Sequence, residues 1–484
     1  MLISKTFIFI AVSYLTTRVS ANSLEHILHS GNGNYILQLN QTTCIKHFVP
    51  EFIDGAFKIF SQNFGGHEKL IKSNNSIVRR DTQDEQVHVF DAYDIGNSFK
   101  GISVKFEQLN IVKTLLASFN HDIIKIIPDQ DIQFDLPTSK KAALKKRYYA
   151  RASKSNPRRE NRVGNFDYDH YKHDKTTVST STAKHSLTSV KFTQQASPQW
   201  NLARISEHKR ALSKPYIYDT DAGSGTYVYV IDDGLNVNHK DFGNRAKWGW
   251  SAYKGASPLG EGHGTHVAGI IGSKTYGVAK KTNLIAVQVL NDKGTGSISS
   301  LLAGLQWVND NAKAHKGKAI INMSLGMEVS GTPSSSINAF NAAISAVVDS
   351  GIPLIAAAGN WGDDSCGILP AANPDVYTVA ASDKNDKFAN YSSWGKCVSV
   401  IAPGTGIKST FIDSNTSTET LSGTSMASPH VAGVAALLIR KLDNPTPSNL
   451  YKELTKLATK NLVTSVTKNT PNVLLFNGQT LTKN

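Results

Sequence analysis

Three short segments of the sequence place reactive side chains beside glycines. Asp232 and Asp233 end an uncharged apolar run and precede a glycine, His263 lies between two glycines, and Ser425 follows Ser-Gly-Thr. A serine hydroxyl becomes a strong nucleophile when a histidine removes its proton and a carboxylate orients that histidine. The three segments can therefore form a site for acyl transfer if the fold brings them together.

Each of the first two segments also has an ordinary structural explanation. An aspartate at the end of a strand usually serves a turn or a cap. His263 and His266 raise the alternative of a zinc site, but they are three residues apart, with no acidic residue between them. The zinc-binding HExxH motif instead spaces its histidines four residues apart. We therefore predict no metal here, and a structural role remains the alternative for either histidine.

The segment around Ser425 is more specific. Gly423 allows close approach of a substrate, and the apolar run after Pro429 predicts a helix that begins near the serine. Pro429 is expected in the first turn of this helix, where it is tolerated. A helix N-terminus offers backbone N–H groups and partial positive charge to an anion that forms there. A capping role is the alternative for any single serine of this segment.

The elements around these segments alternate between strands and helices. Continuous uncharged apolar runs, as in strands buried on both faces, occur at residues 227–231, 284–290, 319–325, 353–358 and 376–381. Helical stretches at 299–313 and 335–349 open with serines that we expect to cap them. This order predicts an α/β fold with a doubly wound, mostly parallel sheet, whose site lies at the carboxyl ends of the strands.

The three segments follow one another along the chain in the order Asp, His, Ser. In these motifs and in this order, the sequence resembles the subtilisin-like serine proteases. Within them it is similar to the proteinase K branch, which includes the yeast vacuolar proteinase B enzymes, from about residue 194 to near the C-terminus. The resemblance implies that Ser425 is the nucleophile, His263 the general base, Asp232 its orienting partner and Asn360 an oxyanion-hole amide. It also implies a substrate-binding cleft lined by Ser324, Leu325, Gly326, Ala357, Ala358 and Gly359.

Cysteine number alone leaves the disulfide pairing open. The chain has three cysteines, Cys44, Cys366 and Cys397. In an oxidising compartment one pair and one remainder are expected. The family resemblance implies that Cys366 and Cys397 form the pair.

The sequence departs from the family pattern at four positions. Asp233 replaces the usual Thr or Ser, Met327 the usual Gly or Ser, and Val267 a cysteine that some relatives carry. Ser399 replaces an Asp that in relatives helps to hold a structural calcium, which argues against calcium here. If Asp233 faces the site, its charge should move the acid limb of the pH-rate profile upward. The alternative is that strand alternation leaves Asp233 in solvent.

Composition divides the chain into four regions. Residues 1–21 have the charged start, apolar core and small-residue end of a signal peptide. A small α+β unit follows at 22–137, with strands at 35–39, 102–106 and 123–127 and a helix at 107–119. Residues 138–190 form a basic Ser/Thr-rich linker with dibasic processing sites, and residues 191–484 form the peptidase domain. Residues 34–130 resemble the family's inhibitory propeptide.

The basic charge belongs largely to the linker, not to a binding face. Residues 138–190 contain 13 Lys and Arg against 4 Asp and Glu, within a net charge of +14 for the chain. No recognition motif accompanies this charge, so we predict no nucleic-acid partner. No later segment has the roughly 20 apolar residues of a membrane span, so no membrane anchor is predicted.

The sequence predicts a monomeric serine endopeptidase of the secretory pathway, made as an autoinhibited precursor. The protein would act in the vacuole, the cell or spore wall, or outside the cell, where sequons such as the one at Asn390 can be glycosylated. Its partners would be protein and peptide substrates and its own propeptide, with an apolar preference at the residue before the cut. One alternative is a catalytically silent member of the fold. Another, an α/β-hydrolase, is disfavoured because its serine would precede its histidine.

Overall fold

The computed structural model describes residues 33–137 and 191–479, apart from 64, 65, 67–69, 81, 97, 135, 136, 254, 256 and 468. The predicted signal peptide and the basic linker lie outside the described residues. No described helix is long and apolar enough to cross a membrane.

The N-terminal unit is an antiparallel sheet covered by two helices. Its elements are β1 (Asn34–Leu39), α1 (Ile45–Asn63), β2 (Leu70–Lys72), β3 (Ser76–Arg79), β4 (Glu85–Ile95), β5 (Phe99–Phe106), α2 (Leu109–Ser118), β6 (Ile123–Pro128) and β7 (Asp131–Gln133). The first six strands form one sheet in the order β2-β3-β4-β5-β1-β6. The three strands and the helix expected from the sequence are all present.

Helix α1 was not predicted from the sequence. Its buried residues include Phe48, Phe52, Ala56 and Phe60, which recur every four positions as on one helix face. Pro50 lies inside the helix and obscures this pattern in the sequence. The stripe contributes to the core between the sheet and the two helices.

The C-terminal unit holds the larger sheet. Its first elements are β8 (Phe192–Gln195), α3 (Trp200–Ile205), β9 (Tyr216–Asp219), β10 (Tyr227–Asp232), β11 (Ala246–Ser251), α4 (His263–Gly272), β12 (Asn283–Gln288), β13 (Thr295–Ser297), α5 (Ile298–Asn311), β14 (Ala319–Met323) and β15 (Met327–Glu328). The remainder are α6 (Ser334–Asp349), β16 (Leu354–Ala357), β17 (Ile368–Leu369), β18 (Tyr377–Ser382), β19 (Val400–Pro403), β20 (Ile407–Thr410), β21 (Thr418–Leu421), α7 (Thr424–Leu438), α8 (Pro447–Leu457), β22 (Thr459–Lys460) and β23 (Val473–Leu474).

The large sheet confirms the predicted doubly wound architecture. Its nine strands follow the order β11-β12-β10-β14-β16-β18-β19-β23-β22, and every pairing is parallel except that between β22 and β23. The five predicted apolar runs all supply strands to it. Helices α4 and α7 cover one face and helices α5 and α6 the other, so the central strands are buried on both faces.

Of the serines predicted to cap α5 and α6, Ser300 takes part in a capping box at the start of α5, whereas Ser299 and Ser336 have other partners. The cap of α5 is Ser297, whose side chain accepts a hydrogen bond from the Ser300 N–H, and α6 has no side-chain cap. Ser299 instead donates its N–H and its hydroxyl to Asp129, at 2.9 and 2.6 Å. Ser336 Oγ donates to Pro128 O at 3.1 Å. Both serines therefore bind the N-terminal unit, a pairing that local sequence cannot reveal.

Candidate active site

The carboxyl end of β10 carries two carboxylates. Parallel pairing with β12 and β14 places Asp232 at the edge of the sheet where the neighbouring strands also end. Asp232 is fully buried, and its Oδ1 lies 2.8 Å from His263 Nδ1 and accepts the Asp233 N–H at 2.8 Å. These contacts fix the orientation of the imidazole ring.

Close backbone approach sets the position of His263 at the start of α4. A methyl group at Gly264 would lie 2.2 Å from Gly234 O and 3.0 Å from Asp232 Cβ, so only glycine fits there. With Nδ1 held by Asp232, the other ring nitrogen, Nε2, has no hydrogen-bond partner among the described residues. That nitrogen is free to act as a proton acceptor.

Ser425 is the second residue of α7 and lies next to the end of β14. Its Oγ donates to Ser324 O at 2.9 Å, while Ser324 Oγ donates to the Ser425 carbonyl at 2.9 Å. Pro429 lies in the second turn of α7, which corrects the expectation that it occupies the first. Because Pro429 has no N–H to bind the Ser425 carbonyl four residues earlier, Ser324 supplies the missing donor.

A polar network behind Ser324 holds this side of the site. Asn322 Nδ2 donates to Ser324 Oγ at 2.9 Å, and Ser428 Oγ donates to Asn322 Oδ1 at 2.8 Å. Asn322 belongs to a sequon, but it is fully buried and both ends of its carboxamide are engaged. Residue type and spacing gave no sign of the roles of Asn322 and Ser428, because these roles depend on a contact across 106 positions of the chain.

The carboxamide of Asn360 is oriented by the first residue of α7. Asn360 Oδ1 accepts the Thr424 N–H at 2.8 Å and the Thr424 hydroxyl at 2.9 Å. Since Thr424 occupies the oxygen, the Nδ2 group remains as the hydrogen-bond donor of the carboxamide. A hypothetical methyl on Gly423 would lie 3.4 Å from this Nδ2, which places the amide directly beside the Ser425 segment.

Asp233 is buried, so the alternative of a solvated side chain is wrong. Its Oδ2 accepts the Glu261 N–H at 2.8 Å and the His263 N–H at 3.3 Å, and its Oδ1 accepts the Gly264 N–H at 2.8 Å. The carboxylate therefore caps the N-terminus of α4 from a neighbouring strand.

The electrostatics of the site follow from this packing. Burial raises the pKa of Asp233 to about 7, the charge of Asp232 adds to the rise, and His263 and the amides of Gly264 and Glu261 oppose it. For His263, burial opposes the charged form, but the charge and hydrogen bond of Asp232, with the charges of Asp233 and Glu261, raise its pKa overall.

Replacing Asp233 by Asn should shift the acid limb of the kcat/KM profile to lower pH. A base must be neutral to accept a proton, and losing one of the carboxylates that raise the pKa of His263 keeps the imidazole neutral at lower pH. Because the pKa of Asp233 is itself about 7, its charge acts on His263 mainly above that pH, and the expected shift is about 1 pH unit or less. Asp233→Thr, which restores the residue usual in relatives, should act in the same direction. An unmoved acid limb in both folded variants would contradict this.

The other two histidines of these segments are engaged in the core. His266 Nε2 lies 3.1 Å from both Ile407 O and Glu419 O, and burial lowers the pKa of His266 to about 3. His430 Nδ1 bonds Met426 O at 2.8 Å, and burial lowers the pKa of His430 to about 4. Both rings therefore serve packing and not proton transfer near neutral pH.

The suspected calcium position lacks the carboxylate that relatives place there. Ser399 offers no carboxylate, and its Oγ accepts the Thr378 N–H at 3.1 Å. In the described part of the chain, no group of three or more His, Cys, Asp or Glu side chains could hold a metal ion. Calcium needs six to eight oxygen ligands, usually with carboxylates among them.

A disulfide fixes the segment after Asn360. Cys366 and Cys397 are bonded, which confirms the pairing implied by the resemblance, and Cys44 is free and exposed. The bond closes a loop with a sequence separation of 31. In the chain-entropy model a loop of this size stabilises the fold by about 3 to 4 kcal/mol.

The fold and the residues gathered at the strand ends define the class of subtilisin-like serine proteases. A protein-family model described as "Subtilase family" matches residues 223–477 of this sequence, and the chain belongs to this family. It is a serine endopeptidase by class.

Named relatives and a solved structure agree with this assignment. Cerevisin of Saccharomyces cerevisiae is 42% identical over 315 residues, which cover 60% of this chain and 48% of cerevisin, so the match spans about half of that relative. Alkaline protease 1 of Aspergillus clavatus is 44% identical over 289 residues, covering 59% of this chain and 69% of that protein. The crystal structure of a cold-adapted subtilisin-like serine proteinase superposes with a TM-score of 0.53 at 39% identity, covering 58% of this chain and 98% of that structure.

Proposed function

We propose that this protein hydrolyses peptide bonds of proteins through an acyl-enzyme formed on Ser425. The observation that carries the proposal is the 2.8 Å contact between Asp232 Oδ1 and His263 Nδ1, which leaves the buried His263 Nε2 without a hydrogen-bond partner among the described residues and available as a proton acceptor. Buried carboxylate, imidazole and serine at the strand ends are the parts that a nucleophilic hydroxyl needs.

The proposed first step begins with a rotation of the Ser425 hydroxyl. Its proton, now donated to Ser324 O, would turn toward His263 Nε2 when a substrate enters. Ser425 Oγ then attacks the substrate carbonyl carbon as His263 takes the proton, and Asp232 stabilises the resulting imidazolium. Asn360 Nδ2 and the Ser425 N–H would bind the oxyanion.

In the steps that follow, His263 returns its proton to the leaving amine and the peptide bond breaks. A water molecule then gives its proton to His263 and attacks the acyl carbon, which releases the acid and restores the Ser425 hydroxyl. All proton transfers use protein groups, so we propose that the chemistry needs no cofactor.

We also propose that the N-terminal unit inhibits the peptidase in the precursor. Strand β7 pairs in antiparallel fashion with β13, with Ile132 opposite Gly296, and the Phe134 N–H donates to Gly294 O at 3.0 Å. Pro137 lies against Gly423, two residues before Ser425, since a methyl at Gly423 would be 2.6 Å from Pro137 Cγ. We infer from these contacts of residues 131–134 and of Pro137 that the segment occupies the cleft in the precursor as a substrate would.

Contacts outside the cleft support this inhibitory role. Asp129 binds the start of α5 through both Ser299 donors, where the helix dipole favours a carboxylate. Gln306 Oε1 accepts the Asp94 N–H at 2.6 Å on the same helix. Anchoring the sheet on α5 and α6 would raise the local concentration of β7 at the cleft.

The same edge would bind substrates. Main-chain pairing to β13 recognises any extended peptide, so we propose protein substrates of broad sequence. We retain as proposals a monomer of the secretory pathway, acting in the vacuole, in the wall or outside the cell.

Labelling with a fluorophosphonate tests the proposed chemistry. The purified, processed protein should form one adduct, located at Ser425 by peptide mass spectrometry, because only an activated serine reacts with this probe. Ser422, which is exposed three residues earlier, should remain unmodified. Correctly folded and processed protein without the Ser425 adduct would favour a catalytically silent member of the fold.

A further inference from the structure

Two bulky side chains, those of Ile368 and Trp361, lie beside both walls of the proposed cleft. One wall consists of residues 324–326, which follow β14. The other consists of residues 357–359, which include the last residue of β16 and the two after it. A methyl group at Gly359 would lie 2.5 Å from Ile368 Cδ1 and 2.9 Å from Trp361 Cε3. At Gly326 it would lie 3.1 Å from Ile368 Cγ2 and 3.6 Å from Trp361 Cζ3. The same two side chains therefore contact both walls.

The two walls lie beside the nucleophile. Ser425 Oγ donates to Ser324 O on the first wall, and Thr424 Oγ1 accepts the Gly359 N–H at 3.2 Å on the second. A peptide bond placed on Ser425 would therefore direct the side chain of its acyl residue between the walls, toward Ile368.

The backbone around Ile368 is fixed, so its side chain cannot easily withdraw. Strand β17 pairs with β15, with Ile368 opposite Glu328, and the Val329 N–H donates to Gly367 O at 2.9 Å. The disulfide of Cys366 lies two residues away. Ile368 is only 2% exposed, whereas Trp361 is 36% exposed and therefore lies nearer the protein surface.

We infer that Ile368 and Trp361 close the acyl-side specificity pocket to large side chains and select substrates with Gly, Ala or Ser before the cleaved bond. Glycines on both walls leave room that the two side chains then occupy, and a Phe or Leu cannot enter without displacing them. The inference rests on the proposed function and narrows the apolar preference expected from the sequence to small residues.

Peptide p-nitroanilides that differ only in the last residue test this selection. With succinyl-Ala-Ala-Pro-X substrates, the processed wild-type enzyme should have a kcat/KM for X = Ala at least about 10-fold above that for X = Phe. Ile368→Ala, and more strongly Ile368→Ala with Trp361→Ala, should shift the Phe-to-Ala ratio upward by about 10- to 200-fold.

Matched variants keep the test decisive. Trp361→Ala alone changes a partly exposed residue and tests the inference even if Ile368→Ala does not fold. Trp248→Ala removes a tryptophan of similar exposure, 38%, on the edge strand β11, and should leave the ratio unchanged. A wild-type enzyme that prefers Phe, or a ratio that no Ile368 or Trp361 variant moves, would overturn the inference while leaving the endopeptidase intact. Absence of turnover with every substrate, together with absence of fluorophosphonate labelling, would instead overturn the proposed function.

Discussion

Replacing Ser425 by Ala is expected to lower kcat by about a million-fold and to leave the precursor uncut. Removal of the nucleophile of a serine triad lowers kcat by about that factor, because the acyl-enzyme bond can then no longer form. Strand β7 pairs with β13 and Pro137 lies against Gly423, so under the proposed inhibition self-processing should stop with the same substitution. Both effects are measured after expression in a protease-deficient host, by peptide hydrolysis and by intact mass.

Ser422→Ala is the matched control for this experiment. Ser422 lies on the same segment and is exposed, with its Oγ accepting only the Gly406 N–H at 2.9 Å among the described contacts. This variant should process and turn over normally. Mature-length protein from Ser425→Ala would contradict self-processing unless N-terminal sequencing places the cut after Arg147 in the dibasic linker, the product of a host enzyme specific for Lys and Arg.

Replacing Asn360 by Ala is expected to lower kcat by about 100- to 1000-fold with little change in KM. An oxyanion-hole donor binds the charge that develops in the transition state and contributes little to binding of the uncharged substrate carbonyl. The measurement is the separation of kcat from KM with one p-nitroanilide substrate, together with thermal unfolding to show that the fold is kept.

The variant Thr424→Val tests the orientation of the Asn360 carboxamide while keeping its hydrogen-bond donor. Thr424 Oγ1 donates one of the two hydrogen bonds that hold Asn360 Oδ1, while the Thr424 N–H donates the other and remains in the variant. We expect about a 10-fold loss of kcat, because the carboxamide becomes less well oriented but keeps its donor. If Asn360→Ala left kcat unchanged, or raised KM by as large a factor as it lowered kcat, Asn360 would not bind the oxyanion.

The burial of Asp233 could be established only from the tertiary structure. Its position after Asp232 left two outcomes open, because adjacent strand residues usually face opposite sides. At the end of β10 the chain turns, and the start of α4 provides three N–H groups that hold Asp233 inside the protein. A helix N-terminus contributed from 30 positions away decided the environment of this carboxylate.

The sequence predicted the central strands of the peptidase unit and the residues that we propose to be reactive. Continuous uncharged apolar runs suit strands buried on both faces of a parallel sheet, and the glycines around Asp232, His263 and Ser425 mark close backbone approaches. Such features are local, so they can be read along the chain. Disulfide pairing, by contrast, came from family resemblance and was then found in the structure.

Only the tertiary structure decided how the cleft is filled and which surfaces meet. Ser299 and Ser336 looked like helix caps, but they bind Asp129 and Pro128 across 170 and 208 positions. Nothing in the sequence pattern singled out Ile368, yet together with Trp361 it lies beside Gly326 and Gly359, which follow two different strands. The physical reason is that hydrogen bonding and close packing depend on three-dimensional neighbours, which residue type and periodicity do not specify.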